Sequence, residues 1–64
     1  MVCYVFVSTT ATAFTIDAAG FNLPVQRGPW RYIRKAGDAE LRREEEAQEV
    51  IQGLRTDGLV VINK

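Results

Sequence analysis

Residues 38–56 (DAELRREEEAQEVIQGLRT) carry the one sustained helical repeat of the chain, and that repeat limits what the remaining residues can build. Ala47, Val50, Ile51 and Leu54 recur at the i, i+3, i+4, i+7 spacing that stacks side chains into a single apolar stripe. A stripe needs a surface to cover. The other apolar residues supply one in short β-branched and aromatic runs at residues 2–7, 13–16, 30–33 and 59–62. The expected fold class is therefore α+β: a small, mostly antiparallel sheet in the order β-β-β-α-β, with one amphipathic helix packed on one face. The expected helix-covered face comprises Cys3, Val5, Val7, Ile51, Leu54, Val60 and Ile62, with the parity of the last strand open between its two faces.

A chain of 64 residues forms one domain, and a domain of this size buries only roughly 60% of its unfolded surface. The usual reinforcements of so small a core are missing, because one cysteine closes no internal disulfide and no histidine completes a zinc site. Packing must hold the fold, with or without a partner or a second copy. The run at residues 2–16 is uncharged, but it lacks a basic start, is broken by Ser8, Thr9, Thr10 and Thr12, and is shorter than the ~20 apolar residues of a membrane-spanning helix. It reads as strands, with no membrane or export segment expected, and a single cysteine, which closes no internal disulfide, points to the cytoplasm.

Taken in order, residues 2–7 (VCYVFV) are apolar at every position, the pattern of a strand covered on both faces. Period two sets Cys3, Val5 and Val7 against Tyr4 and Phe6. If the helix covers the first set, either residues 20–29 fold over the two rings or the rings form a contact surface. Residues 8–12 read as a threonine-rich link and residues 13–17 as the returning strand, with Phe14 and Ile16 on one side. Asp17 to Gly20 then suit a tight turn. Pro24 and the Gly28, Pro29 pair make residues 21–29 an ordered loop, with Phe21, Leu23 and Val25 available to pin it down.

Residues 30–35 (WRYIRK) read as a strand with Trp30, Tyr32 and Arg34 on one face and Arg31, Ile33 and Lys35 on the other. Neither is a clean core face, which suggests an edge strand whose charges discourage stray pairing. In the helix, Asp38 is the expected N-cap and Glu40 sits favourably near the positive end. Leu41 falls far from the stripe, so the first two turns are expected either to overhang the sheet or to contribute nothing to the core, and Gly53 is expected to lie off the stripe. Asp57 and Gly58 supply the stop before the last strand.

Net charge is zero but unevenly spread. Arg27, Arg31, Arg34 and Lys35 lie together without an acid, and Asp38, Glu40, Glu44, Glu45, Glu46 and Glu49 follow against Arg42 and Arg43. Without histidine no Ser/His/Asp or Cys/His pair can form, and the usual general base near neutral pH is missing, so no enzymatic activity is expected. Cys3, in mid-strand, reads as a core residue, since reactive thiolates need a nearby cation and exposure. Consecutive glutamates at 44–46 point around a helix and not at one ion, so no metal is expected, and five scattered glycines form no phosphate cradle, so no cofactor is expected either.

Two function classes remain. The first is a non-enzymatic protein-binding module, an inhibitor or adaptor docking on a larger protein. Its size and missing chemistry are those of blockers encoded by phages and mobile elements, such as anti-CRISPR inhibitors, an analogy that involves no shared motif. Its expected contact residues are Trp30, Arg31, Tyr32 and Arg34, types favoured at binding hot spots, together with Tyr4, Phe6 and the acidic overhang at Glu44 and Glu45. An edge strand pairing with itself would give a homodimer. The second class, less favoured, is a nucleic-acid binder using Arg27, Arg31, Arg34 and Lys35 with Trp30 and Tyr32 as stacking rings.

Overall fold

The computed structural model describes residues 2–43 and 47–63. Four strands, β1 (Cys3–Val7), β2 (Ala11–Thr15), β3 (Arg31–Ala36) and β4 (Leu59–Asn63), form one sheet in the order β3-β1-β2-β4, antiparallel at every pairing. Between β3 and β4 lie a single helical turn, α1 (Asp38–Leu41), and the main helix, α2 (Ala47–Thr56). The α+β expectation holds.

The order explains the unbroken apolar run of β1. Chain leaving β2 must pass across β1 to reach β3, and chain leaving β3 must pass across the whole sheet to reach β4. The first crossing is the proline-bearing loop on one face, and the second is the helical layer on the other. A central strand roofed on both sides has no position for a polar residue, which is the physical content of VCYVFV.

On the helical face, Cys3, Val5, Phe14, Ala36, Leu41, Val50 and Leu54 form one buried cluster, with Ile51, Val60 and Ile62 packed against it. Pairing settles the parity of β4. Val60 stands opposite Phe14 and Ile62 opposite Thr12, so both share the face of Phe14 and Val5. On the other face, Phe6, Ala13 and Leu23 form a second cluster, bordered by Tyr4, Trp30, Leu59 and Val61. Val7, expected in the helix-covered core, is only half-buried.

Several expectations are corrected. Strand β2 begins at Ala11, because the β1–β2 link is tightened by Ser8, whose Oγ accepts from the backbone N–H of Ala11 at 3.2 Å and of Thr10 at 3.4 Å. It also ends at Thr15, so Ile16 lies outside it and is exposed. Gly37, not Asp38, is the N-cap of α1, and its backbone N–H donates to the Glu40 carboxylate at 3.3 Å. The expected single helix is divided. The Arg43 N–H reaches back only three residues to Glu40 O, tightening the turn after Leu41. Leu41 and Val50 would point in opposite directions on one continuous helix, yet both are fully buried in the same cluster. The axis must change between them. Leu41 is therefore core, and the first turn, expected to overhang the sheet or to contribute nothing to the core, packs beside β3.

Candidate functional site

The loop-covered face is where the sequence left its alternatives open. The loop starts from a turn in which Gly20 N–H donates to Asp17 O at 3.0 Å, and the Asp17 carboxylate accepts from the N–H groups of Ala19 and Phe21. Gly20 takes φ +71°, which costs a glycine nothing, and a Cβ there would sit 3.0 Å from Phe6 Cζ. The backbone thus lies directly on the Phe6 ring.

Hydrogen bonds tie the rest of the loop down. Thr15, fully buried, donates its hydroxyl to Asn22 Oδ1 at 2.7 Å and accepts from Asp17 N–H at 3.1 Å. Asn22 Nδ2 donates to Gly58 O in the α2–β4 turn at 3.3 Å. Trp30 Nε1 donates to Pro24 O at 2.9 Å, and Arg27 donates to Asn63 Oδ1. The Gly28–Pro29 peptide bond is cis. No buried side-chain polar atom among the described residues lacks a partner.

These restraints redistribute the expected contact residues. Phe6 is 6% exposed beneath Gly20 and Leu23, so it is withdrawn from the surface; its ring meets Tyr32 edge-on at a centroid distance of 5.5 Å. Tyr4 is half-buried, 6.4 Å from Tyr32. Trp30 is half-buried and acts as an anchor for the loop through its indole N–H. Tyr32 remains half-exposed. Glu44 and Glu45 lie outside the described residues.

The expected alternation along β3 fails at one point. Val5 stands opposite Arg34 and Phe6 opposite Tyr32, leaving Ile33 as the extra residue of a β-bulge. Tyr32 therefore faces the loop layer with Phe6, whereas Arg34 faces the helical layer with Val5 and pairs with Glu40 at 3.4 Å. Arg31, opposite Val7, is also on the helical side; Lys35, opposite Tyr4, is on the loop side. The strip of Trp30, Tyr32 and Arg34 on one face does not exist, because an inserted residue reverses the parity after it.

The loop contributes two residues that alternation could not single out. Phe21 and Val25 are each 88% exposed. Of the three apolar residues expected to pin the loop, only Leu23 does so.

Among the described residues, no group of three or more His, Cys, Asp or Glu side chains is placed to hold a metal ion. No helix among them is long and apolar enough to cross a membrane. The geometry defines a four-stranded α+β domain whose second sheet face is roofed by a hydrogen-bonded loop with apolar side chains turned outward. No family model matches the chain, and neither the curated proteins nor the solved structures include a match.

Proposed function

We propose that this chain is a non-enzymatic protein-binding module, an inhibitor or adaptor that inserts Phe21 and Val25 into an apolar depression on a larger folded protein, with Tyr32 as a neighbouring contact. The observation that supports this reading is the combination of 88% exposure at both Phe21 and Val25 with a loop backbone tied down on either side of them. Small domains need their apolar side chains for the core, and two left in water on a restrained loop are a cost to the free protein that burial by a partner removes. Restraint also helps binding, since a loop already ordered loses less conformational entropy on docking. Protruding side chains suit a concave partner. The single thiol, Cys3, is buried and fits a reducing compartment such as the cytoplasm.

The division of the bases weighs against nucleic acid. Arg27 is engaged with Asn63 and Arg34 with Glu40, and Arg31 and Lys35 point to opposite faces, so the bases do not form a stripe along which a phosphate backbone could run.

The test places a photo-crosslinking aromatic residue at position 21 and, as control, at the exposed Gln48 on α2. The expected result is a single larger protein crosslinked from position 21, absent from position 48, and displaced by an excess of the unmodified chain but not by an excess of the chain carrying Phe21→Ser and Val25→Ser. Equal crosslinking from both positions, or equal displacement by the unmodified and the doubly substituted chain, removes the loop surface from consideration. Binding to single-stranded DNA or RNA that is tight at low salt and weakens steeply as salt rises would replace the reading with the nucleic-acid one.

A further inference from the structure

The two edges of the sheet are not equivalent. Edge β3 carries Arg31, Arg34 and Lys35 and is interrupted by the bulge at Ile33. Charges and bulges are the devices that stop an edge from pairing with a stray strand. Edge β4 has none of them. Its sequence is LVVIN, without charge, proline or glycine, and its register with β2 runs without interruption. Leu59, Val60, Val61 and Ile62 are all only half-buried, although each packs against one of the two clusters.

The hydrogen-bond phase of this edge follows from one bond. Ile16 N–H donates to Gly58 O at 3.0 Å, which continues the β2–β4 register by one pair and marks that pair as a hydrogen-bonded one. Alternation makes Phe14 with Val60 and Thr12 with Ile62 hydrogen-bonded pairs too. Leu59, Val61 and Asn63 therefore direct their N–H and C=O groups away from β2, toward the open side.

We propose that β4 pairs antiparallel with β4 of a second copy of this chain about a twofold axis at Val61, joining two four-stranded sheets into one continuous sheet. In that register Val61 faces Val61 of the other copy and Leu59 faces Asn63, so the outward N–H and C=O groups of these residues match each other in a closed, self-complementary set. No like charges meet across the axis, because β4 contains none. The β3 edge cannot offer the same match: a bulge breaks its phase, and Arg31, Arg34 and Lys35 of both copies would gather like charge along the seam. This inference does not rest on the Phe21 and Val25 surface, which belongs to the loop.

The interface is one short strand per copy, at the small end of specific interfaces, so association is to be followed from roughly 1 µM to 1 mM. Sedimentation of the unmodified chain should show a mass rising with concentration from 7.2 kDa toward about twice that value. Amide exchange at Leu59, Val61 and Asn63 should slow by roughly 10-fold or more as the dimer fills. Val61→Lys and Val61→Glu should each be monomeric alone and dimeric when mixed, because only a twofold at position 61 sets each substituted side chain opposite its counterpart. A mass fixed at 7.2 kDa up to 1 mM overturns the proposal. So does a dimer in which these three amides exchange as fast as in the monomer. The exchange measurement uses the unmodified protein, so the outcome is decided even if the substituted chains fail to fold.

Discussion

Gly53 of α2 lies against Val60 of β4 so closely that a Cβ built on the glycine would overlap Val60 Cγ2. The glycine is therefore the point at which the helix descends onto the edge strand, although its place on the helical wheel is off the apolar stripe. Helix propensity alone would favour Gly53→Ala by about 1 kcal/mol. Overpacking against a β-branched residue that has few alternative rotamers opposes this by about 1–3 kcal/mol. Gly53→Ala should destabilise the domain in urea unfolding. In a Val60→Ala background the overlap is gone, and the same substitution should become stabilising. A stabilising effect in the unmodified chain would show that the helix does not bear on β4 here.

Leu41 supplies a second test, because two helical geometries assign it opposite environments. On a continuous helix it would point away from Val50, and its replacement by alanine would alter stability by no more than about 0.5 kcal/mol, as surface changes do. With α1 turned beside β3, Leu41 is fully buried beside Cys3 and Ala36, and Leu41→Ala should cost about 2–5 kcal/mol. Chemical denaturation of the two chains separates these values easily.

Thr15 joins the loop to the sheet through its hydroxyl. Thr15→Val keeps the shape but removes the donor to Asn22 Oδ1 and the acceptor for Asp17 N–H, two part-buried hydrogen bonds. The expected cost is about 1–3 kcal/mol. Its distinguishing sign is faster amide exchange at Asp17 and along residues 20–28, with the α2 amides changed only as far as global stability changes. Uniform loss across the domain would mean that Thr15 supports the sheet and not the loop.

These sites show where the sequence was informative. Strand β1 was legible because both its faces are covered, and an unbroken apolar run has few other physical meanings. The turn at Asp17 to Gly20 was legible because its chemistry is local: a carboxylate that accepts from the backbone just ahead and a residue that tolerates positive φ. The parity of β4 was not, since four consecutive apolar residues fit either face, and only pairing of Val60 with Phe14 decides between them. The bulge at Ile33 was invisible for a related reason. Alternation assumes one residue per step, so an insertion reverses Arg34 and Lys35 without leaving a mark in composition. Leu41 was misplaced because periodicity was extended through a segment where the axis turns.

The loop closes the account of the candidate site, because neighbouring apolar residues on it carry opposite expectations. Leu23 is buried against Phe6 and Ala13, and Leu23→Ala should cost about 2–4 kcal/mol by opening a cavity over the Phe6 ring. Phe21 and Val25 stand in solvent, and Phe21→Ser with Val25→Ser should leave the unfolding midpoint almost unchanged, within about 0.5 kcal/mol per site. Composition treats all three alike, as apolar residues available to hold a loop, yet one Leu does the holding. If the double serine chain instead unfolds as readily as Leu23→Ala, Phe21 and Val25 contribute to the core in solution, and their exposure no longer argues for a partner. If it is as stable as the unmodified chain and fails to displace the crosslink formed from position 21, the two side chains serve binding and not folding.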